Sequence, residues 1–376
     1  MLFETPALDD REHGVLRGID DLRQTLRWQI AAPRRWVGSL RRLTFARAVQ
    51  GSNTIEGYNA TLDDVAAVVA GEEPLEASEE TRRALAGYRD AMTYVLQLSE
   101  DPHFAFDETL LRSLHFMMMS YDLSKNPGRW RAGAVYVRNE ATGNVVYEGP
   151  DVELVPVLVA ELVRAVNAQE ETHALVRAAM AHLNLVLIHP FSDGNGRMGR
   201  CVQTLVLARE AILEPPFASI EEYLGANTQA YYDVLAEVGQ GSWHPEDDAR
   251  PWVRFSLTAH LRQAKTLLAR VKESEELWER CVVEAQSARL PSRIVPVLFN
   301  TALGFRAQRS LYRSLVEEDV SDAMATRDLR AMADAGLLVA HGERRGRFYT
   351  ASEGLRAIAV EIRGRRPRLD DSDPFA

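Results

Sequence analysis

Cysteine is nearly missing: two residues, Cys201 and Cys281, stand far apart in 376. That excludes a disulfide framework and a cysteine-based zinc site, and it points to a reducing, cytoplasmic setting. Lysine is almost absent too; Lys125, Lys265 and Lys272 are the only ones, so the basic charge is nearly all arginine. No run of about 18 apolar residues occurs, so no membrane span is expected. The stretch Met1–Gly14 is acidic and has no apolar h-region, so no secretory signal is expected. No internal repeat or long low-complexity tract appears, which sets aside solenoids and fibrous chains. What remains is an ordinary soluble composition, 46% hydrophobic and 26% charged, long enough for two to three domains at roughly 150 residues each.

The net charge of −10 disfavours sequence-independent coating of nucleic acid. The charge is uneven, however. Arg289–Leu369 holds 15 Arg against 9 Asp and Glu, or +6, which leaves −16 for the remainder. An acidic body with a mildly basic C-terminal module is the reading.

Periodicity of 3.6 residues predicts a mainly α chain. Helices are expected over Arg17–Ile30 (closed near Pro33), Arg35–Gln50 (leading into Gly51-Ser52-Asn53), a segment starting at Thr61, Ser78–Leu98 and Asp107–Met119. Val135–Arg138 and Val145–Glu148, around Ala141-Thr142-Gly143-Asn144, read as a β-hairpin. Helices resume over Val152–Ala168, Thr172–Ile188, Met198–Glu210, Ser219–Val238 and Trp252–Ala285. The Thr172–Ile188 helix is apolar almost all round, the mark of a central helix. Past Ala288-Arg289-Leu290-Pro291, three helices (Val295–Thr301, Gln308–Glu317, Ser321–Ala335) precede two short strands, Gly336–Ala340 and Gly346–Thr350. That is the layout of a winged helix-turn-helix. The expected organisation is 1–100, a helical region; 101–215, a core with the hairpin; 216–288, a helical extension; 289–362, the winged module; and 363–376, a frayed tail.

The chemistry concentrates in His189-Pro190-Phe191-Ser192-Asp193-Gly194-Asn195-Gly196-Arg197-Met198-Gly199-Arg200. One helix ends before Pro190 and another opens near Asn195. The glycines allow close backbone approach to a ligand. The free N–H groups and dipole of the second helix form an anion site suited to phosphate. Arg197 and Arg200 are three apart, so both can face one anion. Asp193 is a hard oxygen ligand placed for Mg²⁺. His189 can take a proton near neutral pH. His182, on the preceding helix, is read as a packed residue.

This string resembles the Fic family signature, His-x-Phe-x-(Asp/Glu)-Gly-Asn-Gly-Arg-x-x-Arg, at every specified position, with helical likeness over Asp107–Glu210. The resemblance implies a Fic-type helical core with a small flap hairpin. It also implies transfer of AMP from ATP to a protein Ser, Thr or Tyr hydroxyl. His189 would be the base and Asp193 the Mg²⁺ ligand. Gly194, Asn195 and Gly196 would form the anion hole, with the Asn195 amide donating to phosphate. Arg197 would neutralise phosphate charge and Arg200 would take the γ-phosphate.

Upstream, Ser52-Asn53-Thr54-Ile55-Glu56-Gly57 is similar to the family's inhibitory motif, which implies that Glu56 pairs with Arg200 where the γ-phosphate should lie. Gly128-Arg129-Trp130-Arg131 and the hairpin resemble the family's flap, an edge for a protein substrate to dock on over 128–150. Tyr147 and Glu148 are assigned to the nucleotide pocket, and Asn227, Tyr231 and Tyr232 to the adenine side. The partners implied are that protein substrate, a second copy in a homodimer, and DNA or protein at 289–362; no membrane is expected. Arg327 and Arg330 would arm a recognition helix and Arg344, Arg345 and Arg347 a wing. The same module also suits protein docking or dimerisation. Competing functions are a Fic-type enzyme removing AMP or using another donor, and a DNA-binding regulator with a Fic-like sensor.

Overall fold

The computed structural model describes residues 1–31, 34–101, 103–138, 143–168, 172–209, 213–316, 320–343, 346–368, 370 and 372–376. The chain is mainly helical. The first helices are α1 (Asp10–Ala31), α2 (Val37–Ile55), α3 (Leu62–Val69), α4 (Glu79–Leu98) and α5 (Glu108–Met119). The hairpin β1 (Tyr136–Arg138) and β2 (Val145–Glu148) follows, antiparallel, pairing Tyr136 with Glu148 and Val137 with Tyr147. Then come α6 (Val155–Asn167), α7 (Ala174–Ile188), α8 (Asn195–Arg209), α9 (Pro215–Ala218), α10 (Glu221–Ala226), α11 (Thr228–Gly239) and α12 (Arg250–Ser287). The C-terminal module runs α13 (Val295–Ala302), α14 (Arg309–Leu315), α15 (Asp322–Asp334), β3 (Leu338–His341), β4 (Phe348–Ala351) and α16 (Glu353–Gly364).

Local chemistry accounts for many of the boundaries. Thr61, Ser78, Asp107, Ser321 and Ser352 each accept a backbone N–H of the first turn, the N-cap role of short oxygen side chains. Helix α7 ends because His189 turns left-handed, φ 52°, before a proline that cannot continue the ladder. Helices α7 and α8 are buried almost throughout and pack on each other at the centre of the larger core. A second core lies under the C-terminal module. Helix α12 joins the two: Trp252, Val253 and Leu257 enter the first, Leu267, Val271 and Leu277 the second.

The structure departs from the sequence reading in several places, among them the start of α1 at Asp10 rather than Arg17 and the added helix α16. Helix α2 does not stop at Gly51-Ser52-Asn53 but continues to Ile55. The single helix expected over 219–238 is two, broken at Asn227 (φ −126°, ψ 40°). The expected tail is packed at its end. Phe375 is buried, its carbonyl accepts from Arg11 Nη1 at 3.0 Å, and Arg254 lies over its ring. Pro33, Glu210, Glu317, Ala141, Thr142, Arg344 and Arg345, which figured in that reading, lie outside the described residues.

Candidate active site

The turn between α7 and α8 brings the signature residues together. His189 Nδ1–H donates to Val186 O at 3.1 Å, which leaves the Nε2 lone pair available. Burial lowers its pKa below the ordinary 6.5, further assisted by Arg131; the Val186 carbonyl, Glu56 and Asp193 oppose this. The imidazole is therefore neutral at pH 7, as a base must be. Asp193 receives the Gly194 N–H at 2.6 Å and faces Lys125 Nζ at 3.3 Å. Gly194 is left-handed (φ 77°), and a Cβ there would meet Met119 Sδ at 3.1 Å.

Arg200 is fully enclosed. Its Nε donates to Ser52 Oγ at 2.8 Å, and its Nη2 to Ser52 O at 3.0 Å and to Glu56 Oε1 at 2.6 Å. Ser52 and Glu56, one helical turn apart at the end of α2, thus grip one guanidinium. The Glu56 carboxylate rests directly over the start of α8: a Cβ on Gly196 would lie 2.5 Å from Glu56 Oε1 and 3.2 Å from Arg200 Nη1. Arg197, also enclosed, donates to Met119 Sδ at 3.0 Å and to Tyr121 Oη at 3.5 Å, with the Tyr58 ring 5.4 Å from its guanidinium. Arg197 Nε and Arg200 Nη1 are buried donors with no hydrogen-bond partner. Orphaned guanidinium N–H groups beside a helix N-terminus suit an oxyanion. Asp193 supplies one carboxylate oxygen set next to them, the donor type Mg²⁺ uses when phosphates complete its shell.

Several assigned residues act otherwise. The Asn195 side chain is taken up by its own loop, accepting from Phe191 N at 3.0 Å and donating to Phe191 O at 2.9 Å. It shapes the turn rather than offering its side-chain amide to phosphate. Tyr147 is buried, with its hydroxyl on Leu187 O at 2.8 Å; it anchors the hairpin to α7 and does not line a nucleotide pocket with that group. Glu148 is exposed, and its N–H donates to Gly241 O at 2.9 Å. Tyr231 is buried beneath Arg200, 5.9 Å from the guanidinium, and donates to His182 Nε2 at 3.0 Å. His182 is indeed packed, its Nδ1–H on Gln203 Oε1 at 2.6 Å. Asn227 Nδ2 donates back to Tyr223 O at 2.8 Å. Tyr232 reaches the end of α2 instead, its hydroxyl on Ile55 O at 2.9 Å.

Two supporting residues complete the site: His115, which the sequence reading missed, and Arg131, which it named only as part of the flap segment. His115 accepts the Gly128 N–H at Nδ1 (2.8 Å) and donates from Nε2 to Asp193 O (3.0 Å), while its ring stacks on Phe191 with centroids 3.7 Å apart. It joins the base of the flap to the Asp193 turn. Arg131 donates to His189 O at 3.0 Å, to Gly133 O at 2.7 Å and to Pro150 O. It ties both ends of the hairpin to the turn after α7. No motif in the sequence marks His115, and the flap segment does not disclose what Arg131 holds; only the fold brings their partners near.

Residues 105–207 match the Fic/DOC family. The chain carries a Fic domain. It is 28% identical over 223 residues to the protein adenylyltransferase Fic of Nematostella vectensis, covering 54% of this chain and 44% of that protein. It is 41% identical over 83 residues to that of Aedes aegypti, 22% of this chain and 14% of the other. The chain thus spans less than half the length of these relatives. Among solved structures, a Fic family protein from Desulfovibrio desulfuricans G20 matches with TM-score 0.61 and 22% identity, over 93% of this chain and 98% of that chain. Fic-1 from C. elegans matches with TM-score 0.54 and 24% identity, over 69% of this chain and 73% of the other. These last two likenesses are of fold. No helix among the described residues is long and apolar enough to cross a membrane.

Proposed function

We propose that the protein is a self-inhibited adenylyltransferase that moves AMP from ATP to a Ser, Thr or Tyr hydroxyl of a protein, itself included. The Fic domain and relatives named protein adenylyltransferase support the chemistry. One observation carries the self-inhibition: the Glu56 carboxylate holds Arg200 at 2.6 Å against Gly196, beside two orphaned guanidinium donors. A carboxylate there both repels a phosphate and occupies its partner.

In the active form, His189 Nε2 takes the proton of the target hydroxyl. The oxygen then bonds to the α-phosphorus as the bond to pyrophosphate breaks. The N–H groups at Asn195 and Gly196, with Arg197 and Arg200, balance phosphate charge, while the Gly194 N–H is held by Asp193. Asp193 would hold Mg²⁺, which lowers the charge on the phosphates when bound. The target lies along the flap, 128–150, where Tyr136, Val145 and Val146 are exposed.

Intact-mass analysis after incubation with ATP and Mg²⁺ tests this. Glu56→Gly gains one AMP faster than the wild type by tenfold or more, since a charge-assisted contact of about 1.5–3 kcal/mol is removed. His189→Ala, combined with it, gains none. Equal gain in the His189 variant with the fold intact would remove the proposed base. A second reading concerns 289–362, taken as winged-helix-like: Arg327 and Arg330 are exposed on α15, free to meet DNA or an acidic protein. A salt-sensitive shift of short duplexes, lost on neutralising both, would favour DNA.

A further inference from the structure

Helix α2 meets the C-terminal module at a second charged place, away from Glu56. A cleft of about 230 Å³ lies between α2, α12 and α16. Arg47, Arg270, Arg363 and Arg366 all line it. Two carboxylates answer these four. Glu222 takes Arg270 through both terminal nitrogens and Arg47 Nη1 at 3.2 Å. Glu273 takes Arg366 at 2.6 and 2.8 Å. Four positive charges against two negative leave +2. Arg363 is exposed and, among the described residues, has no carboxylate partner. Arg47 Nε is a buried donor with no acceptor. Arg47 also registers the crowding: burial, then Arg270 and Arg363, lower its pKa to about 10.

We propose that this cleft binds a small multivalent oxyanion of the phosphate class. Guanidinium forks match phosphate oxygens in pairs, and an excess of two charges with an unmatched donor is what such an anion would satisfy. The volume falls below the roughly 300–1,000 Å³ of sites for drug-sized ligands, so orthophosphate or pyrophosphate fits better than a nucleotide. The position carries a consequence. Arg47 stands five residues before Ser52 on the same helix, about 7.5 Å along its axis. An anion bridging Arg47 to Arg363 fastens α2 to α16 and so steadies the segment that ends in Glu56. That consequence rests on the inhibitory reading of Glu56; the site does not.

The test is calorimetric titration of the full chain with inorganic pyrophosphate, without Mg²⁺ and at matched ionic strength, beside thermal melts. The wild type binds and its Tm rises. Arg363→Glu weakens binding at least tenfold and loses the Tm rise. Arg356→Glu, the same charge change on an exposed position of α16, keeps both. No binding at millimolar pyrophosphate, or binding that Arg363→Glu leaves unchanged, overturns the proposal. No turnover is measured, so a failed adenylyltransferase reading leaves the result interpretable.

Discussion

Glu56 and Tyr58 stand two residues apart at the end of α2, and each reaches a different arginine of α8. Glu56 holds Arg200, while the Tyr58 ring covers Arg197. The two contacts differ in strength. A buried carboxylate–guanidinium hydrogen bond outweighs a partly solvated cation–π contact of about 0.5–2 kcal/mol. Tyr58→Ala should therefore raise AMP transfer severalfold at most, below the gain from Glu56→Gly, when both are followed by intact mass. The base proposed above, His189, makes a separate prediction. His189 has a folded pKa below 6.5, chiefly through burial. Its reactive form is the neutral one, so the rate of the Glu56→Gly variant should be flat from pH 7 to 8 and fall only on acidification below 6.5. A rate still climbing above pH 7 would mean a different proton acceptor.

At the scale of elements, the segment that carries Glu56 is held by how closely α2 crosses α10. A Cβ on Gly51 would lie 2.2 Å from Glu221 O and 2.9 Å from Glu222 Cα, and one on Gly225 would lie 2.5 Å from Gly51 Cα. Backbone cannot yield as a flexible side chain can, so Gly51→Ala must lift α2 off α10. Overpacking of this kind costs about 1–3 kcal/mol. The variant should melt lower and, with Glu56 displaced, transfer AMP faster. Gly18→Ala in α1, where a Cβ meets nothing within 4 Å, should instead raise Tm slightly. This crossing also shows what a sequence can and cannot display. The helix starts at Thr61, Ser78 and Asp107 were legible because each signal lies within the first turn it begins. The signature turn was legible because its parts are contiguous. The run of α2 through Gly51-Ser52-Asn53 was not, since those residues favour stopping a helix locally. Contacts with α10 and Arg200, over 140 residues away in the chain for the latter, override that preference. Tyr147 and Tyr231 misled for a related reason: an aromatic ring states its size in the sequence, but the partner of its hydroxyl is set by packing.

Across the whole molecule, burial has left several histidines neutral, and that shapes how the fold responds to acid. His115 is lowered to about 4 and His182 to about 3, both mainly by burial, and His260 lies well below its ordinary value for the same reason. Each sits in a network that uses its neutral tautomer: His115 between Gly128 and Asp193, His182 between Gln203 and Tyr231, His260 accepting from Gln203. A histidine with a depressed folded pKa binds fewer protons folded than unfolded between that value and 6.5. Its stabilisation is complete above 6.5 and drains as pH falls through the window. At about 1.4 kcal/mol per pKa unit, the first two contribute on the order of 3–5 kcal/mol each, against a total stability of about 5–15 kcal/mol. Glu221 runs the other way, since burial raises its pKa above 4.5, and it offsets part of this loss at the acid end. Glu12 and Glu222, both lowered to about 2, add to the loss only once pH drops below the ordinary 4.5 of a glutamate. The interval from pH 6.5 to 5 therefore lies above the range in which those two lowered glutamates contribute. Unfolding free energy measured by denaturant titration should decline steadily across that interval, and His182→Gln, which cannot charge, should flatten the decline. A stability that stayed level from pH 6.5 to 5 would show that these rings are not held neutral in the folded chain.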